Sequence, residues 1–155
     1  MQDALVTEDR VERLYREQGR RLWAAVLAYT RDRDVADDAV AEAFAQLLRR
    51  DDEVRDPQAW VWTTAFRIAG GELQRRPSGN DAIPEVVHLD EFVDTEILDA
   101  VTQLPERQRA AILLFYYADQ PVREAAQMLG MSSSTFRVHL TRARRHLSRT
   151  LDDLR

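Results

Sequence analysis

Residues 76–84 read RPSGNDAIP. Two prolines, a glycine, a serine and an asparagine in so short a run break helices and strand ladders, because proline lacks an amide N–H and the others favour turns. On both sides of this break apolar residues recur at helical spacing, and no stretch alternates as a strand would. The chain is therefore predicted to be all-α, with two small helical domains joined by a flexible acidic linker. The expected boundaries are 1–77, 78–93 and 94–155. A length of 155 residues permits this, since a domain of roughly 60 residues can still hold a viable core.

In the first half, a helix is expected from Glu8 to Tyr29 with Thr7 as its cap, burying Val11, Leu14, Tyr15, Leu22, Val26 and Tyr29. A second should run from Val35 to about Arg50 behind Asp34, with Val40, Phe44, Leu47 and Leu48 inward. The third has a sharp start, Asp56 at the cap and Pro57 at the first helical position, where the missing N–H costs nothing. Its inward stripe is Trp62, Phe66, Ala69 and Leu73, which turns Trp60, Thr63, Thr64, Arg67 and Gln74 outward. Gly70 and Gly71 are expected to fray it, each costing roughly 1 kcal/mol against alanine.

The second half places Ile97, Leu98, Val101 and Leu104 in register, then a helix from Pro105 carrying Ala111, Ile112, Phe115 and Tyr116, then PVREAAQMLG as a short helix stopped by Gly130. Ser132 can cap a last helix reaching about Leu151, backed by Phe136, Leu140, Ala143 and Leu147. Small Ala126, four residues before Gly130, is what two closely crossing helices need. The whole is a helix-turn-helix pattern. The opposite face presents Ser133, Ser134, Arg137, Val138, Thr141, Arg142 and Arg145. In a major groove, hydroxyls and Val138 suit base edges, and the later arginines suit phosphates.

Charge sharpens this division. The net charge is −5, with −2 on residues 1–77, −4 on 78–93 and +1 on 94–155, and all 22 basic residues are arginine. There is no cysteine, which removes disulfides, thiolate metal sites and thiol nucleophiles. His139 and His146 share a helix with no acid or thiol on that face, so no metal is expected. No phosphate loop or nucleophile motif accompanies the acids Asp37, Asp38 and Glu42, so neither an enzyme nor a cofactor is expected. No apolar run is long enough to span a membrane and no signal peptide opens the chain, which leads us to expect a soluble cytoplasmic protein.

LPERQRAAILLFYYADQPVREAAQMLGMSSSTFRVHLTRARRHL, residues 104–147, resembles the region-four domain of bacterial sigma factors, with its LP-x-x-QR opening and T-[apolar]-R-x-x-L-x-RAR close. LYREQGRRLWAAVLAYTRDRDVADDAVAEAFAQLL and RDPQAWVWTTAFRIA are similar to region two of the extracytoplasmic-function group, whose members keep only these two domains. The resemblance implies a transcription initiation factor. Its partners would be core RNA polymerase, through the β′ clamp helices and the β flap, and promoter DNA, with an anti-sigma factor as a further candidate. It assigns Asp37, Asp38, Glu42 and Phe44 to polymerase docking. Trp60, Thr63, Thr64, Arg67, Gln74, Arg75 and the loop DDEVRDP would serve the minus-ten element. Region four, with Ser133, Ser134, Arg137, Val138, Thr141, Arg142 and Arg145, would hold the minus-thirty-five element. The chain departs from the family at Ala41, in place of glutamine, and at Arg67 and Gly71, in place of asparagine and aspartate. The competing reading is a helix-turn-helix regulator that never joins polymerase.

Overall fold

The computed structural model describes residues 2–50, 53–75 and 95–153, with the side chains of 2–8, 95–98 and 153 left aside. The described residues form helices and turns, with no strand among them. The chain divides into two compact units, Met1–Asp81 and Ala82–Arg155.

The first unit packs three helices: α1 (Gln2–Thr30), α2 (Arg33–Arg50) and α3 (Pro57–Arg75). α1 begins at Gln2, so Thr7 lies inside it and is not its cap. Nothing in QDALV breaks a helix, and an internal threonine costs only tenths of a kcal/mol. The α1–α2 corner turns on Arg31, which takes the left-handed conformation (φ 59°) while its N–H donates to Leu27 O at 2.7 Å. This brings Asp32, not Asp34, to the cap of α2: Val35 N donates to Asp32 Oδ1 at 3.1 Å and Ala36 N to Asp32 O at 3.0 Å. The third helix starts as the sequence implies, with Ala59 N donating to Asp56 Oδ1 at 3.1 Å.

Leu22, Val26, Leu47, Val61 and Trp62 form the centre of this core, each such side chain contributing about 1.5–3 kcal/mol by burial. Two expected core residues lie outside it: Tyr15 is 56% exposed and Leu48 46%. Both sit at the margin of their helix stripes, where the neighbouring helix is too far round to cover them. Nor does α3 fray at Gly70 and Gly71, for it continues to Arg75. A Cβ at Gly70 would stand 3.1 Å from Tyr29 Oη, so the glycine admits the phenol of α1 against α3. Tyr29 stacks on Phe66 at 5.4 Å, and Phe66 in turn on Trp62 at 6.3 Å. Burial of this row offsets the backbone cost of the glycines.

The second unit contains α4 (Thr95–Thr102), α5 (Glu106–Ile112), a π-helical turn (Leu113–Tyr117), α6 (Val122–Met128) and α7 (Ser133–Asp153). Gln108 and Arg109, the last two residues of LPERQR, are buried and structural. Arg109 Nη1 donates to Leu104 O at 2.8 Å, closing the α4–α5 corner, and Gln108 Oε1 lies 2.7 Å from His146 Nδ1 of α7. The π turn inserts a residue into the helical register. Leu113 and Leu114 point inward while Tyr116, expected in the core, is 48% exposed.

Candidate functional site

Local chemistry builds the turn between α6 and α7. Gly130 has φ +66°, its N–H reaches Gln127 O at 3.1 Å, and Met131 N reaches Ala126 O at 3.0 Å. This paired closure satisfies the last carbonyls of α6 and needs a residue tolerant of the left-handed region. Ala126 is buried beneath it, which lets α6 and α7 cross closely. Ser132 then caps α7, its Oγ accepting from Thr135 N at 3.1 Å. Phe136, Leu140 and Ala143 bury the back of the helix.

With that back fixed, Ser134, Arg137, Val138, Thr141, Arg142 and Arg145 are exposed together and Ser133 is half-buried at the edge. Arg137, Val138, Thr141, Arg142 and Arg145 line one shallow concavity. Val138 is 46% exposed, a branched apolar side chain set among four polar or cationic neighbours. Beside them, burial pushes the His139 pKa below its ordinary 6.5, and the nearby guanidiniums of Arg107 and Arg142 push it further down. His139 is therefore neutral at pH 7, and the positive charge of this face is carried by arginine.

On α3, Trp60 and Thr63 are half-buried and Arg67, Gln74 and Arg75 are exposed, whereas Thr64 is buried at 8% exposure. Thr64 is withdrawn from the outward set: like Val61 and Trp62 it is buried on the packed side of α3. Arg75 Nη1 is ion-paired with Glu72 at 3.0 Å. The guanidinium of Arg50, at the end of α2, lies over the Trp60 ring at 5.9 Å from its centroid. The residues 51 and 52 of the neighbouring loop fall outside the described part.

The four residues assigned to α2 do not form one patch. Phe44 is buried at 6% exposure, edge-on to Tyr15 at 5.1 Å, so the exposed aromatic at this place is Tyr15 and not Phe44. Asp37 faces α1, accepting from Trp23 Nε1 at 2.7 Å in a groove shared with Tyr15 and Arg20. Asp38 and Glu42 face α3, in a second groove with Asp34, Ile68 and Glu72. Glu42 accepts from Gln46 Nε2 and Arg49 Nη2, both at 3.0 Å, and these bonds hold its carboxyl below the usual range. Glu72, Ile68 and Trp23 were not singled out from the sequence, and Asp34 and Tyr15 were read there as a helix cap and a core residue. Asp34 stands one turn before Asp38 on α2, and the α1–α2 and α2–α3 packing brings the other four beside the acids, although the outward position of Trp23 between Leu22 and Ala24 is a signal of its own.

Residues 94–147, which contain the turn, Ser132 and the exposed arginine face, match the family Sigma-70, region 4. Over those residues the chain carries a Sigma-70, region 4 domain. Among similar proteins, RNA polymerase sigma factor SigV of Bacillus subtilis (strain 168) is 26% identical over 125 residues, covering 75% of this chain and 75% of SigV. Probable RNA polymerase sigma factor RfaY of Xanthomonas campestris pv. campestris is 26% identical over 140 residues, covering 78% of this chain and 35% of RfaY. The fold is shared with CnrH, solved in complex with the cytosolic domain of CnrY, at a TM-score of 0.62 and 22% identity over 98% of this chain and 94% of that one. It is shared as well with the sigma factor RpoE of Bartonella quintana, solved with the anti-sigma factor NepR, at 0.61 and 22% over 94% of this chain and 98% of that one. Among the described residues no helix is long and apolar enough to cross a membrane.

Proposed function

We propose that this sigma-family chain acts in the cytoplasm, joins core RNA polymerase and directs it to a particular class of promoters, by binding and not by catalysis. The observation that carries the reading is the α7 face: Ser134, Val138, Thr141, Arg142 and Arg145, exposed together on a helix fixed by the Gly130 turn, within the segment matching Sigma-70, region 4. The N-terminal part of the face would read base edges of the minus-thirty-five element and Arg142 and Arg145 would hold phosphates.

Residues 1–77 would act as region two. Asp38 and Glu42, with Asp34 and Glu72 beside them, offer an anionic groove with an apolar floor at Ile68 and Ala39, which suits basic helices such as those of the β′ clamp. Thr63, Arg67, Gln74 and Arg75, with Trp60 once Arg50 lifts from its ring, would meet the minus-ten element, where stacking offsets the few kcal/mol of extruding a base. Residues 94–155 would also carry the β-flap contact. An anti-sigma factor is a natural restraint for such a chain, since RpoE and CnrH have each been solved with a bound protein partner.

Reconstitution tests the proposal. Purified chain, core polymerase and a library of genomic promoter fragments should give a stable complex and discrete transcripts absent with core alone. Absence of both overturns it.

A further inference from the structure

Arg144 lies outside the concavity of α7, yet it is the most restrained arginine near it. Its Nε donates to Tyr116 Oη at 2.7 Å, and its guanidinium carbon stands 5.4 Å from the Tyr116 ring centroid and 5.6 Å from that of Phe115. The two rings meet edge-to-face at 5.0 Å and 81°. The π turn makes this cage possible, because the inserted residue throws Tyr116 out of the core and onto the side of α7. Among the described residues nothing bonds the two terminal nitrogens of Arg144, and the side chain stays exposed. Along α7, Arg144 continues the row Arg137, Thr141 by steps of four and three, so it stands on the flank of the reading face and not behind it.

We propose that Tyr116 is a positioning residue for DNA binding: by occupying Nε and stacking beneath the guanidinium, it fixes Arg144 with its terminal fork directed at a phosphate of the bound duplex. The inference rests on the reading of α7 as the DNA-binding helix. Its physical basis is entropy and geometry. A free arginine carries considerable rotamer freedom, and a fork already held in place loses less of it when a phosphate arrives. The rings also keep the cation without neutralising it, unlike a carboxylate partner. A tie between α7 and the π turn with no part in binding would predict a different outcome.

The test uses the full chain and a duplex selected by the wild-type chain from a random pool, titrated over a range of salt. Tyr116→Phe keeps the ring and removes only the hydroxyl. It should weaken binding roughly fivefold with no change in salt slope, since the phosphate contact is misplaced but its charge remains. Arg144→Ala should lower the slope by about one and make Tyr116→Phe silent when the two are combined. Arg144→Lys should not restore affinity, because an ammonium has no fork to hold. If Tyr116→Phe binds as wild type, or weakens binding equally in the Arg144→Ala background, the positioning role is overturned while the DNA-binding reading stands. If the wild-type chain selects no duplex at all, that reading fails and takes this inference with it.

Discussion

At the scale of single residues, the function proposed for the α7 face separates groups that would read from groups that would hold. Ser134 and Val138 sit near the capped start of the helix, while Arg142 and Arg145 sit two turns later. Ser134→Ala or Val138→Ala should change preference at particular base pairs by about 1–3 kcal/mol and leave the salt dependence alone. Arg142→Ala or Arg145→Ala should weaken all sequences alike and reduce the salt slope by about one. Binding measured against a panel of point-substituted duplexes at several salt concentrations checks this, and a uniform effect from all four would remove base readout. His139 gives a pH signature. Its folded pKa lies below 6.5 through burial and through Arg107 and Arg142, so the unfolded chain takes up a proton first. Stability of the second unit should therefore decline as pH falls through 6.5 and level off below the folded value. Urea midpoints between pH 7.5 and 5 should show the decline, and His139→Gln should flatten it. The burial of Thr64 was not legible in the sequence, because a residue at the edge of a helix stripe turns in or out according to the neighbouring helix, whereas the α2 stripe placed Phe44 inward and only the docking role implied by the resemblance set it outside.

At the scale of elements, signals contained within a few residues were legible and signals carried by the corner before them were not. Asp56–Pro57, Gly130 and Ser132 each cap or stop a helix by bonds to their own neighbours, and each stands where the sequence puts it. The start of α2 was misplaced by two residues because the left-handed Arg31 at the corner is no glycine and so gives no sign of the break. The π turn escaped because one inserted residue leaves an apolar run, LLFYY, looking like continuous helix. The α3 glycines show how packing overrides propensity. At Gly71 a new Cβ meets nothing nearer than Arg75 Nη2 at 4.0 Å, so Gly71→Ala should stabilise the first unit by about 0.5–1 kcal/mol. Gly70→Ala must displace Tyr29 Oη from 3.1 Å and should lose that gain or reverse it. Gly130→Ala, in open space at φ +66°, should cost about 1 kcal/mol from the backbone alone. Thermal and urea unfolding of the three variants would rank them, and equal effects at Gly70 and Gly71 would remove the role given to the Tyr29 contact.

At the scale of the whole molecule, the question is how a chain of net charge −5 comes to serve a polyanion. Counterion release makes nonspecific DNA affinity grow with each cation laid on phosphate, and here the surplus is only +1 across residues 94–155. On the proposed function, a chain so balanced holds stray DNA weakly and leaves most of the electrostatic grip to the polymerase. The same proposal gives the acids work of their own, in the α2–α3 groove where Asp34, Asp38, Glu42 and Glu72 meet. Asp38 can be tested because it is exposed and its carboxylate takes no described partner, so replacing it disturbs no packing. Asp38→Arg should abolish capture of core polymerase by the full chain, since a reversed charge repels basic helices at close range and costs the orientation as well as the contact. The same variant should bind a duplex recognised through α7 with unchanged affinity and salt slope when polymerase is absent. Unchanged capture of polymerase would move docking away from this groove and leave the Tyr15–Trp23–Asp37 groove of α1 and α2 as the surface to mutate next. Lost capture together with lost DNA binding would mean the substitution had damaged the chain as a whole, which far-ultraviolet circular dichroism of the same sample would reveal.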